Sequence, residues 1–371
     1  MVRESAVEYL LEFTENKGQS RSPTHFHYTM NETLTQLNAY LIEAERIPVA
    51  ILSIVITMVV GMITGPLRGN ANPFFWQFYD LFFGTLGGRL DKPQRPRGDL
   101  IFRGFILTVF GVVMAFMIGR VVQRLTLGLH DHGATEVFFL CLSFTSGSVW
   151  FVLLRLYFAM DKQGSAKGAF YGLSRSTRFN LNSTDDFGIT RAGMGFAAVS
   201  FDKGMVAPVF WYLVGGIPVL AVYNLLCMLV WRFGKCGHTT GFGVIPLALE
   251  KLMGFIPAYL TGFLFAAASA LTPTARLTQS LLAWWAVKNK APYEQGGPML
   301  AALAWPLGIM IGGPVRDLSG FQLKNVWVGP EKATARLDHR HLRRGIYINF
   351  MAHLLFLASL GGAYFFSGRL F

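Results

Sequence analysis

Between Ile47 and Pro66 the chain runs for twenty residues without a charge, and comparable uncharged runs recur at Gly104–Gly119, Val137–Leu154, Met205–Val230, Leu252–Leu271 and Gly345–Phe366. A helix crossing a bilayer needs about 20 mostly apolar residues. In lipid, a chain must also satisfy its backbone polar groups internally, which leaves helices or closed barrels. Uninterrupted apolar runs, rather than alternating ones, select the helix. The fold class expected is therefore an all-α integral membrane protein of about six transmembrane helices. Composition agrees: only 15% of the 371 residues are charged and 52% are hydrophobic, too little polar surface for a water-soluble protein of this length. Cys141, Cys227 and Cys236 cannot form a disulfide framework.

Two segments depart from simple spans. The fourth run is interrupted by Gly215, Gly216 and Pro218, which predicts a kink, or a broken helix whose two halves line a protein-filled cavity. Met299–Ile311 is apolar but short, has Pro306 inside and is flanked by Gly-Gly-Pro triplets, so a re-entrant or interfacial segment is expected there rather than a full crossing.

The net charge of +12 raises nucleic-acid binding as a function. The bases, however, sit between apolar runs, where lipid headgroups and topology account for them, and no nucleic acid is expected. Loops 67–103, 155–204 and 272–344 hold 23 of the 33 Lys and Arg, which places them on the cytoplasmic side. The domain division expected is an acidic, partly amphipathic head over residues 1–46 and a transmembrane domain over 47–371. The head carries seven acids against four bases, with an interfacial helix expected over Glu32–Glu45.

Few motifs carry chemistry. No Gly-x4-Gly-Lys-Ser/Thr loop exists, and Gly193-Met194-Gly195 lacks the preceding strand of a dinucleotide site. The pairs His25/His27, His130/His132 and His339/His341 lack the third and fourth ligands of a zinc site, so no metal is expected at them. Ionisable groups near the spans are more informative, because burying them in lipid is costly. Asp202 and Lys203 precede the fourth run, Glu250 and Lys251 precede the fifth, and all four read first as interfacial anchors. Arg155 ends the third run and is read as snorkelling. For an anionic ligand, the groups to test are Arg175, Arg178, Arg191, Lys203 and Arg316.

Ala207-Pro-Val-Phe-Trp-Tyr-Leu-Val-Gly-Gly-Ile-Pro218 resembles the most recognisable stretch of the CobD/CbiB family, membrane proteins described as adenosylcobinamide-phosphate synthases. Gly254-Phe-Ile-Pro-Ala-Tyr-Leu-Thr261 is similar to that family's Asn-aromatic-Ile-Pro-Ala-Arg-Leu-Thr. Gly296-Gly-Pro-Met-Leu-Ala-Ala-Leu-Ala-Trp-Pro-Leu-Gly308, with Gly312-Gly-Pro314, resembles its C-terminal run. The three motifs come in order, and the resemblance covers residues 47–366. It implies placement in the bacterial cytoplasmic (inner) membrane. It also implies a ligase that joins an aminopropanol-type amine to a corrinoid carboxylate, using ATP, Mg2+ and carboxylates.

Those carboxylates are where the chain departs from the pattern. The positions that resemble the family's acids read Gly195, Val199 and Lys203, then Asn224 and Cys227, then Glu250-Lys251; Tyr259 replaces an Arg, and Glu294 an Asn. Packing positions are kept and charged ones are not. A lysine at 203 repels magnesium and a substrate ammonium. The chain also resembles AmpE, a distant relative that likewise lacks the acids. The resemblance thus implies a catalytically degenerate member that binds a ligand or serves as a regulatory or structural subunit of a membrane complex. The alternative is an active ligase with a site rebuilt from Asp185, Asp186, Asp202, Glu250 and Glu294. Candidate ligand-binding residues are Arg178, Asp202, Lys203, Asn224, Glu250, Glu294 and Arg316. No cofactor is expected, with Mg2+ and ATP entering only under the ligase alternative. The partners expected are the bilayer and, through residues 1–46, a membrane protein or a second copy of the chain.

Overall fold

The computed structural model describes residues 46–370 apart from 93, 129–132, 167, 235–240, 274, 287–296, 319, 321 and 324–326. The expected head, Arg46 aside, lies outside the described residues. The remainder is helical with one short hairpin, and six helices are long and apolar enough to cross a membrane.

The first, α1 (Arg46–Thr64), buries Ile47, Ala50, Ser53 and Ile54 and leaves Leu52, Val55, Val59 and Ile63 exposed. In water such exposure would be costly; against lipid tails it is the normal outer face of a span. After short helices α2 (Phe74–Tyr79) and α3 (Thr85–Leu90), α4 (Arg97–Gly128) runs straight through Arg103 and Arg120, the two residues that bound its apolar run. Arg103 is held against Asp99 one turn earlier, at 2.9 Å, so its charge does not end the helix.

The third run contains a break that its composition does not announce. Helix α5 (Ala134–Ser143) stops at Phe144, and α6 (Gly147–Gln163) begins after Ser146. Thr145 at the break donates to the Ala71 carbonyl, and its own N–H bonds Gly204 O at 2.9 Å, so the freed backbone finds partners in neighbouring segments. Arg155 consequently lies well inside α6, exposed, rather than at a span end. Gly147 of α6 meets Gly61 of α1 so closely that a Cβ on either would strike backbone. Paired small residues let the two helices approach in this way.

After α7 (Tyr171–Thr177), the chain is helical from Asp186 to Phe233: α8 (Asp186–Phe201), a π-helical turn (Asp202–Val206) and α9 (Ala207–Phe233). Asp185 caps its start, Oδ1 accepting from Gly188 N at 2.8 Å. Residues 186–204, read from sequence as loop, are therefore helix, and much of that helix is buried. Straight, 48 residues would reach about 72 Å, more than twice the ~30 Å hydrocarbon core. The expected break is present at Gly216 (φ 67°, ψ −163°), a backbone region open essentially to glycine alone. Pro218 follows and packs against Gly119 of α4.

Helix α10 (Val244–Ala270) packs against α9, α11 (Leu277–Ala286), α12 (Gly297–Leu307) and α13 (His339–Leu370). At 11 residues, or about 16 Å, α12 is too short to span. It is buried nearly throughout and leads into a hairpin of β1 (Ile311–Gly312) and β2 (Trp327–Val328), antiparallel with Ile311 opposite Val328. The expectation that Met299–Ile311 makes no full crossing agrees with the length of α12.

Asp338 caps α13, accepting from the N–H of Arg340 and of His341 and from the His341 ring at 2.7 Å. Burial pushes its carboxyl up, but these bonds outweigh that and hold it below the usual carboxylate range. His339 faces Asp161 at 3.5 Å. The pair His339/His341 thus serves a helix start, and the pairs His25/His27 and His130/His132 lie outside the described residues.

Replacing Gly216 by alanine puts a Cβ in a glycine-only conformation, 2.9 Å from the Gln123 amide. Gly216→Ala is expected to cost about 1–3 kcal/mol, read as a lower Tm in detergent. Gly88→Ala, inside helix α3 with nothing within 4 Å, should keep or slightly raise Tm.

Candidate functional site

A cavity of about 290 Å³ opens between α8, α9, α7, the segment before α2 and the loop after β1. Its longest wall is one face of α8 and the π-helical turn, where Arg191, Gly195, Val199 and Lys203 follow one another at a spacing of four. Cys227, Val230 and Trp231 of α9 face them, with Trp76, Ser176 and Gly312–Pro314 completing the enclosure. Four of the positions that resemble the family's acids, 195, 199, 203 and 227, therefore line one cavity. Among the described lining residues the charged ones are Arg191 and Lys203, both cations.

The acids that remain sit behind this wall. Lys203 Nζ is 2.8 Å from Glu250 Oε1, with 6% of the lysine side chain exposed and none of the glutamate. Asp202, fully buried, accepts from Thr261 Oγ1 at 2.9 Å. Asn224 accepts from Trp76 Nε1 at 2.9 Å. Asp202, Lys203 and Glu250 are thus not interfacial anchors. The helix begins far upstream of the apolar run, so residues 202 and 203 fall in its middle; α10 likewise begins six residues before Glu250. The π-helical turn adds a residue to one turn at this point, a distortion frequent at functional sites.

Arg191 is fixed at the other end of the stripe. Its Nε donates to Gly312 O at 3.2 Å and its Nη1 to Ala335 O at 2.6 Å, and the guanidinium lies over the Trp327 ring. Its acidic neighbour, Asp185, is 3.9 Å away and 62% exposed. Two backbone carbonyls and a ring fix the plane of the group without cancelling its charge.

The remaining sequence candidates separate. Arg178 lies over the Trp231 ring, 5.2 Å from its centre, and does not line the cavity. Arg316 is exposed, its carbonyl accepting from Asn180 N, and Arg175 is exposed beside Tyr171. Tyr259 packs against Phe255 and Trp284, away from the cavity. Glu294 lies outside the described residues. Asp185 and Asp186 are engaged as a helix cap and as acceptor for Ala166 N. Among the described residues, no three His, Cys, Asp or Glu side chains converge as a metal site would need. Trp76, Trp231 and Thr261 escaped sequence reasoning. Their only signal is residue type, and apolar surroundings make a tryptophan read as lipid anchor or core.

Removing one partner of a buried ion pair leaves a charge uncompensated, at about 3–5 kcal/mol, whereas removing both is often neutral. Lys203→Met and Glu250→Gln should each lower Tm strongly, and the double variant should recover most of the loss. Additive losses in this cycle would show that the two side chains act independently.

The profile of the CobD/Cbib protein family matches residues 79–348. The chain is 34% identical over 139 residues to the cobalamin biosynthesis protein CobD of Brucella suis, covering 36% of this chain and 42% of that protein. It is 30% identical over 174 residues to that of Yersinia enterocolitica, covering 46% and 52% respectively. Against that of Clostridium acetobutylicum the identity is 23% over 315 residues, covering 82% and 96%. The first relatives are thus matched over about half their length or less. No solved structure matches.

Proposed function

Because the chain belongs to the CobD/CbiB family, we propose that it is a member that has kept the helical frame and given up the ligase, using the old cavity to hold a ligand. One observation carries this reading. Four of the positions where the resemblance places acids converge on a single cavity, and there they are Gly195, Val199, Lys203 and Cys227, while Glu250, which keeps an acid, does not line it. Magnesium asks for oxygen ligands, usually carboxylates and phosphates. The described lining offers none of the former, and its charged residues, Arg191 and Lys203, are both cations. ATP with Mg2+ does not fit this set, and no reaction step is derived through it.

The location proposed is the bacterial cytoplasmic membrane; the six apolar helices and the relatives named for cobalamin biosynthesis support it. A competing reading, a ligase with a rebuilt site, draws on Asp202 and Glu250, which remain buried directly behind the wall. Their engagement with Thr261 and Lys203 speaks against it.

Expressed in a strain that lacks the family enzyme, the chain should not restore growth dependent on cobyric acid. Lys203→Asp or Cys227→Asp alone should not restore it either, since single acids do not rebuild a ligand set. Growth by the unaltered chain would establish the ligase instead. Residues 1–46 are proposed to dock a partner, so deleting them should lower the native mass of the complex extracted from membranes. An unchanged mass would remove that role.

A further inference from the structure

Resting on the reading of the cavity as a ligand site, we infer that its occupant is an amphiphile with a single acidic head, seated on Arg191, and an apolar body lying against α8 and α9. Arg191, Gly195 and Val199 stand on one face of α8, are half-buried on a helix that is otherwise largely buried, and line the cavity. Lys203 is taken up by Glu250 at 2.8 Å and is cut off from water, so it is not a free anchor. Arg191 differs. Its Nε and Nη1 donate to Gly312 O and Ala335 O, which orient the group and carry no net charge. Its acidic neighbour, Asp185, is 3.9 Å from Nη2 and 62% exposed, so water screens that pair. Nη2 lies beside the lining: a Cβ built on Gly188, a residue of the cavity wall, would be 3.3 Å from it. An acidic group there gains a charge-assisted hydrogen bond from a donor that is already fixed in place.

Most of the remaining wall offers little to a polar molecule. Thr145, Ser176 and Thr177 line the cavity, but their hydroxyls donate to the carbonyls of Ala71, Gly172 and Leu173. Asn72 and Trp231 both donate to Ser176 O, and Trp76 donates to Asn224. Much of the rest is apolar, including Phe196, Val199, Val230, Leu300, Ile311 and Val328. A ligand rich in hydroxyls, amides or phosphates would give up its bonds to water here and find few replacements. An uncharged apolar ligand would leave the guanidinium unmet. One acid joined to an apolar body satisfies both parts of the wall. The volume of about 290 Å³ lies at the small end of organic-ligand pockets.

The test uses the full-length chain in nanodiscs of phosphatidylcholine, with binding to empty discs subtracted. Radiolabelled dodecanoate is bound at equilibrium and competed with unlabelled carboxylates of increasing chain length, and with alcohols, amides and amines of matched length. Binding should saturate, and each carboxylate should compete roughly tenfold better than its alcohol or amide. The chain length that competes best separates an acid drawn from the membrane from one taken up from water. Arg191→Gln should erase the advantage of acid over alcohol, while Arg191→Lys, which keeps the charge, should retain part of it. Gly195→Leu should fill the cavity and abolish binding of acid and alcohol together. A Cβ at 195 meets Ile311 Cγ2 at 3.8 Å, an ordinary contact, so α8 accommodates the change. Alcohols or amines competing as well as carboxylates would overturn the acidic head and leave the cavity a ligand site. Undiminished dodecanoate binding to Gly195→Leu, or none to the unaltered chain, would overturn the inference outright. Growth on cobyric acid decides the ligase question separately, so either conclusion can fail alone.

Discussion

An ammonium and a carboxylate cut off from water hold each other in this molecule, and much of the site follows from that. Lys203 and Glu250 come from different helices, and each makes burial of the other tolerable. Their contact ties the π-helical turn to α10, while Asp202, next in the chain, is bound to Thr261 of the same helix. The turn is thereby locked against α10. Buried pairs of this kind are weak sources of net stability, but they are strong determinants of arrangement, because every slip of register strands a charge. Similar logic runs elsewhere in neutral form: Asn349 of α13 accepts from Trp150 of α6 and donates to Ala197 O of α8, joining three helices through one amide.

The frame and the site obey different rules. Helix contacts depend on small residues and on apolar volume, as at Gly61 with Gly147 and Gly119 with Pro218. Such contacts tolerate no added side chain, yet they say nothing about chemistry. The cavity wall depends on charge. Among the described residues, the charged ones that line it, Arg191 and Lys203, are both cations. Membership of the family therefore describes the frame more securely than the reaction.

Much of the frame was legible in the sequence. Uncharged runs marked the spans, Gly215-Gly216 with Pro218 marked the kinked or broken helix, and the length of Met299–Ile311 marked a segment that does not cross. The break at residues 144–146 was not legible, because Phe144, Thr145 and Ser146 are all tolerated inside a transmembrane helix. It exists because Ala71 and Gly204 supply partners from elsewhere in the chain. The starts of α8 and α10 were also hidden: acids and bases ahead of an apolar run read as interface, and only a partner across the fold shows that they are inside. Of the site candidates, Lys203 lines the cavity and Asp202, Asn224 and Glu250 are buried without lining it; all four stood out for their residue type rather than their position. Arg178 and Arg316 shared that type and do not line the cavity.

Apolar run length by itself determined that this chain is a bundle of helices in a membrane, since lipid admits few ways of satisfying a backbone. Motif order determined which family the bundle belongs to. Only the tertiary structure decided that residues 195, 199, 203 and 227 share one cavity, and that Glu250 stands behind that wall rather than in it. The reason is that helical spacing fixes which residues share a face, while the partner that face meets is set by long-range packing.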